Sequence, residues 1–149
     1  MVDGLDAGPD PHGRRRARTV EVELDHGETG IVLAGDDAPV RSPKPWAALL
    51  PSLDPTVMGW AERGWYLGPH KSALFDRAGN AGPTVWWDGR IVGGWTQRAD
   101  GEIVWRALED IGREGHRAVE QQIQRLQAWL TATVVLPRFP TPLFQDLRR

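Results

Sequence analysis

Val85-Trp86-Trp87-Asp88-Gly89-Arg90-Ile91-Val92-Gly93-Gly94-Trp95 joins two β-prone runs at an Asp-Gly pair and holds three of the chain's eight tryptophans. A two-residue type I′ turn needs positive φ at both central positions, and Asp-Gly between alternating apolar runs is the strongest short-range signal for it. The spacing therefore predicts a hairpin with Trp87 opposite Arg90, Trp86 opposite Ile91 and Val85 opposite Val92. Gly93 and Gly94 in mid-strand predict a bulge or the close approach of another group.

Working outward, Asp100-Gly101 predicts a second tight turn, so Thr84 to Trp87, Arg90 to Gln97 and Glu102 to Leu108 form an antiparallel meander. On the N-terminal side, Val20, Val22 and Leu24 alternate with acids and Ile31 to Leu33 follows a Gly-rich turn, which predicts a first hairpin. Trp46 to Pro51 reads as a short buried strand. Asp54-Pro55 places an N-cap residue before proline at the first helical position, starting a short helix that Gly59 ends. Ala61 to Asp76 reads as an ordered loop with one more helical turn. Glu114 to Leu130 repeats Val119, Ile123, Leu126 and Leu130 on one face, predicting the long helix, a lid on the sheet. Pro137 to Phe144 is too proline-rich for helix and is expected to run extended with Phe139 and Phe144 tucked in. Most of the tryptophans are expected in the core. The fold class is α+β, mainly β: an antiparallel, strand-rich partial barrel or meander with one long C-terminal amphipathic helix.

With 149 residues, one domain is expected at 19–143, between an Arg-rich disordered head at 1–18 and a tail at 144–149. A net charge of -2 favours neither nucleic acid nor an anionic membrane in bulk, so any basic binding surface is local. There is no cysteine, and so no disulfide or thiolate chemistry. No apolar run approaches a membrane span and no signal peptide is present, which predicts a cytoplasmic protein without a membrane partner. His12, His26, His70 and His116 are dispersed without metal-ligand spacing, and neither metal nor cofactor is expected. Glu109-Asp110, beside Arg106 and Arg113, reads as solvated charge rather than an acid-base pair.

The run from Leu53-Asp54-Pro55-Thr56-Val57-Met58-Gly59-Trp60 through Arg63-Gly64-Trp65-Tyr66-Leu67-Gly68, and on through Leu74-Phe75-Asp76-Arg77-Ala78-Gly79-Asn80 to Trp95, resembles the C-terminal region of the bacterial winged-helix DNA-binding proteins that include the AlkZ-type DNA glycosylases. The resemblance covers roughly residues 19–143. It implies a strand-rich domain that braces tandem winged helices and adds to a DNA-facing channel. It also implies that the family's catalytic Gln-x-Gln motif lies in a winged-helix part absent from this chain, and the unlike head is expected to mark a truncated gene, an internal start or a shortened gene model. Gln122-Ile123-Gln124 matches that motif as text only, because on a helix its two glutamines diverge by about 200°.

The resulting expectation is a DNA-binding accessory domain without catalytic residues. Its partner is double-stranded DNA, bound weakly and without sequence preference. Arg63, Trp65, Tyr66, His70, Lys71, Arg77, Arg90 and Arg98 are the candidate contacts, since arginines and exposed aromatics serve phosphates and bases respectively. Trp65, Tyr66 and Trp87 are the aromatics favoured as exposed. The alternative is a structural or protein-interaction domain that docks on a winged-helix partner or on itself through an exposed apolar patch.

Overall fold

A computed structural model describes residues 17–24, 27–131 and 133–149. Most of the expected disordered head, with Arg14 to Arg16 and His12, lies outside the described residues, as does His26. The chain divides into two compact units, Met1–Ser42 and Pro43–Arg149.

The first unit carries the expected hairpin. Strand β1 (Thr19–Glu23) pairs antiparallel with β2 (Thr29–Leu33), Val20 opposite Val32 and Val22 opposite Gly30. Those four positions share the half-buried face, and the acids Glu21 and Glu23 take the exposed one, as the period of two requires.

The second unit is built on an open four-stranded antiparallel meander, β3 (Ala47–Leu50), β4 (Thr84–Trp87), β5 (Arg90–Gln97) and β6 (Ile103–Ala107), in that spatial order. β3 and β6 are its edges, so the sheet does not close into a barrel. The opening turn is as expected: Asp88 and Gly89 have φ of 48° and 81°, the signs a type I′ turn needs. Trp87 faces Arg90 and Trp86 faces Ile91, but Val85 faces Gly93 rather than Val92, because Val92 is the extra residue of a bulge. The glycines that follow make this possible. A side chain on Gly93 would collide with the Arg106 carbonyl of β6, and one on Gly94 would lie 2.7 Å from Leu143 and 3.0 Å from Leu74.

Helices cover both faces of the sheet. Below it, α4 (Gly112–Leu130) buries Val119, Ile123 and Leu130 against Ala47, Val85, Val92 and Ile103. Side-chain bonds fix its azimuth: Trp105 Nε1 donates to Glu120 at 2.8 Å, and Gln127 accepts from the Ile103 amide at 2.9 Å. Above it lie α1 (Pro55–Met58), α2 (Gly64–Leu67), a 3-10 turn (Gly68–His70), α3 (Lys71–Leu74) and α5 (Pro142–Leu147), around Trp86 and Ile91.

Three expectations are corrected here. Residues 64–74 form three successive turns rather than a loop with one, because Tyr66, Leu67 and Leu74 each reach the core from this stretch. The proline-rich tail contains a helix: Thr141 caps it through Phe144 N at 3.4 Å and Pro142 occupies its first turn, the device that also starts α1. Leu143, Phe144 and Leu147 are its buried face, while Phe139 stays exposed. Finally, most tryptophans are not core residues. Trp86 alone is fully buried, Trp87, Trp95 and Trp105 are half-buried, and Trp46, Trp60, Trp65 and Trp129 are exposed. Half-burial suits an indole whose N–H needs a partner, as Trp95 shows by donating to the Leu50 carbonyl at 2.9 Å.

Candidate nucleic-acid interface

The segment that follows α1 positions the expected contact residues. Arg63 precedes α2, donates to the Val57 carbonyl at 3.0 Å and lies 5.3 Å from the centre of the Phe75 ring. It thus ties α1 to the end of α3, and its guanidinium is used inside the protein. Tyr66 turns inward, 3% exposed, and its ring stacks on Trp86 at 5.4 Å. Its hydroxyl finds no hydrogen-bond partner among the described residues. Successive helical residues diverge by about 100°, so Trp65 turns outward, 75% exposed and edge-on to Tyr66 at 4.9 Å. Of the three aromatics favoured as exposed, Trp65 is so, Trp87 is half so, and Tyr66 is buried because its ring completes the stack on Trp86.

Next to this pair lies a charged cluster that joins three separate stretches of the chain. β5 begins at Arg90 and β6 runs back beside it, with Gly93 opposite Ala107. Continuing that pairing carries Glu109 to the start of β5. There Glu109 accepts from His70 Nε2 at 2.8 Å, and Arg90 Nη2 lies 3.3 Å from both of its oxygens. An ionised carboxylate only accepts, so Nε2 of His70 carries the proton. His70 is buried and Arg90 is half exposed. Only one nitrogen of the Arg90 fork is engaged among the described residues, and the guanidinium lies over Gly68 just past α2, which leaves its remaining donors able to take a phosphate oxygen.

The other candidates fall elsewhere. Lys71 and Arg77 are exposed and line a broad open hollow with Pro69, Phe75 and Gln145. In the same hollow, hydrogen bonds from the side chain and then the backbone of Asn80, with smaller help from the Ala78 and Gly79 amides and against the opposing effect of desolvation, hold the Asp76 carboxyl below its ordinary range. Arg98 stands at the far end of β5, about 26 Å of strand from Arg90, and pairs with Glu102 at 2.6 Å across the second hairpin.

The structure therefore joins His70 and Arg90 through Glu109, sets exposed Trp65 against buried Tyr66, places Lys71 and Arg77 in a hollow with Pro69, uses Arg63 internally and separates Arg98. The residue at the centre, Glu109, is not the solvated charge expected from sequence. Two positions past the end of a strand, its neighbours depend on the register of β5 against β6, and that register was the available signal. Gln122 is half-buried and Gln124 exposed, on either side of buried Ile123 in α4.

No helix among the described residues is long and apolar enough to cross a membrane. No curated protein matches the chain. The solved structure of the Streptomyces sahachiroi DNA glycosylase AlkZ is similar to it, with a TM-score of 0.61 and 26% sequence identity over 80% of this chain. The aligned region is 33% of that protein, so this chain spans about a third of its length. The family model for AlkZ-like DNA glycosylases matches residues 11–129, most of the sequence. With sequence and backbone likeness pointing the same way, the chain belongs to the AlkZ-like DNA glycosylase family.

Proposed function

We propose that this chain is a DNA-contacting domain of the AlkZ-like kind that binds duplex DNA weakly and without sequence preference and does not itself cleave the glycosidic bond. The observation that supports the reading best is Trp65, an indole left 75% exposed and close in the chain to Lys71 and to Gly68, over which the half-exposed Arg90 guanidinium lies, on a segment whose neighbouring side chains Tyr66 and Leu67 are packed in the core. Arg90 and Lys71 take phosphates, with Arg77 at the margin, while Trp65 lies against sugar and base edges. Glu109, itself held by His70, competes with phosphate for part of the Arg90 fork. With few cations engaged, affinity is in the range of about 10⁻⁴–10⁻⁶ M and falls with salt by a slope of roughly 0.9 per phosphate.

Titration of labelled duplex DNA at low salt tests this. Binding that Trp65→Ala and Arg90→Gln weaken supports the assignment, and no binding at about millimolar protein, beyond typical non-specific affinities, refutes it. Incubation with alkylated DNA is expected to yield no abasic sites; their appearance overturns the non-catalytic part.

One observation favours a second reading, a domain that docks on a winged-helix partner or on a second copy. Leu53, Val135 and Phe139 are exposed around a hollow of about 270 Å³ that Trp95 and Phe144 also line. Sedimentation at rising concentration distinguishes the two, since a clean monomer counts against self-association.

A further inference from the structure

The outward face of α4 carries a row that the site above does not use. Arg113, Arg117, Gln121, Arg125 and Trp129 follow one another at i, i+4 and are all exposed, Trp129 at 78%. Each step advances the row by about 6 Å and turns it by about 40°, so it winds about 24 Å along and about 160° around the exposed half of the helix. A solvated helix face is normally laced with acids placed to pair with its bases. Here Glu109, Asp110, Glu114 and Glu120 stand at pairing distance in sequence, yet none of the three arginines makes an ion pair among the described residues. The nearby carboxylates are mostly engaged, Glu109 by His70 and Arg90, Asp110 by the Gly112 amide and Glu120 by Trp105. Glu114 flanks the row and pairs with none of its members. Arg113 and Arg117 stand as like charges four apart, an unfavourable arrangement that a bound anion reverses.

The row is also held rigidly. Its helix buries the opposite face and is fixed by the Glu120 and Gln127 bonds to β6 and its hairpin, the latter including Gln127 Nε2 to the Gly101 carbonyl at 2.8 Å. Because α4 covers one face of the sheet and α2 the other, the row and Trp65 lie on opposite sides of the unit.

We infer that this row binds single-stranded nucleic acid, with Arg113, Arg117 and Arg125 on successive phosphates and Trp129 stacked on an unpaired base. The inference rests on the reading above only for the class of ligand. Phosphates alone would suit a duplex equally, but an indole stacks on a base only where the base face is open, and in a duplex those faces cover one another.

The test is fluorescence anisotropy on the full chain with a labelled single strand of roughly 12 nucleotides and with a hairpin duplex. Trp129→Ala is expected to weaken single-strand binding by about 5- to 150-fold, and Trp129→Phe to restore part of it. Arg117→Gln with Arg125→Gln is expected to flatten the slope of log affinity against log salt by about 1.4, roughly 0.7 for each phosphate no longer neutralised. Duplex binding stays as it was in each variant. All these positions are solvent-facing, and circular dichroism melts confirm the fold.

A single-strand affinity that Trp129→Ala leaves within about twofold, below any stacking contribution, or an unchanged salt slope in the double variant, overturns the inference. So does an unaltered chain that binds no single strand. The two assignments fail separately. Loss of duplex binding in Trp65→Ala with single-strand binding intact supports both. Single-strand binding that depends on the α4 row, without duplex binding, upholds this inference against the proposed function.

Discussion

Replacing Glu109 asks which contact holds the charged cluster together. His70 is 9% exposed and its Nε2–H has Glu109 as its hydrogen-bond partner at 2.8 Å, whereas Arg90 reaches the same carboxylate at 3.3 Å from a side chain 54% exposed. Glu109→Ala leaves the His70 N–H buried without an acceptor, a loss of about 1–3 kcal/mol. In a unit of this size each kcal/mol moves Tm by roughly 4–8 °C. Glu109→Gln keeps an amide oxygen in place for His70 and removes only the exposed ion pair, so its loss stays below about 1 kcal/mol. Arg90→Gln is expected to fall in the same small range. The same Glu109→Gln change releases the Arg90 fork, so duplex affinity at low salt rises and its salt slope steepens by up to about 0.9. Thermal unfolding by circular dichroism and anisotropy titration of the three variants read both effects. Equal destabilisation by Glu109→Gln and Glu109→Ala would show that charge rather than the His70 hydrogen bond holds the cluster, and the reasoning fails. Unchanged or weaker DNA binding by Glu109→Gln would likewise remove Arg90 from the interface.

Three further outcomes follow from the packing, and one from titration. Gly94→Ala puts a methyl group 2.7 Å from Leu143 and 3.0 Å from Leu74, and overpacking of this kind destabilises by about 1–3 kcal/mol; adding Leu143→Ala should recover part of it in urea unfolding. Gly89→Ala meets no neighbour within 4 Å, so its loss of about 1–2 kcal/mol is purely that of φ +81°, and Leu143→Ala should not relieve it. Tyr66→Phe removes a buried hydroxyl that has no partner, so the unfolding free energy should hold or rise by about 1–2 kcal/mol; a fall of that size shows an unseen partner. The Asp76 carboxyl, held down first by the Asn80 side-chain bond, should titrate by carbon NMR below its ordinary 3.8. A folded value below the unfolded one contributes stability that is present above pH 3.8 and lost as the pH falls through the folded value. Asp76→Asn should therefore lose less stability in acid than the unaltered chain, and an equal loss would refute the assignment.

Much of the fold was legible where neighbours in sequence decide the geometry. Asp88-Gly89 has positive φ at both residues, Asp54 caps α1 through the Thr56 amide at 2.9 Å, and the repeat of Val119, Ile123 and Leu130 faces the sheet. Helix α5 shows a local signal outweighed by another: Thr141-Pro142 is a cap followed by proline, as at α1, but the prolines around it read as extended chain. At the candidate site, Trp65, His70 and Arg90 were named from residue type alone. Their division of labour was not: Tyr66 and Trp65 are adjacent and equally suited to stacking, and only the presence of Trp86 on the sheet beneath sends one inward.

Turns, caps and amphipathic periods are settled within a few residues, since φ preferences and side-chain spacing act on the chain locally, and they were enough to specify the hairpins, α1, α4 and the order β4-β5-β6, but not the place of β3 or the helices α2, α3 and α5. Gly93-Gly94 signalled a bulge or a close approach, but its place at Val92, the inward turn of Tyr66 and the meeting of Glu109 with His70 and Arg90 were decided by packing. Each depends on atoms brought together from distant positions in the chain, as Tyr66 is with Trp86 and His70 with Glu109, where close contact and the need to satisfy a buried N–H outweigh any local preference. That is why residue types could name candidate contacts, while which of them are exposed and which are engaged within the protein came only from the folded unit.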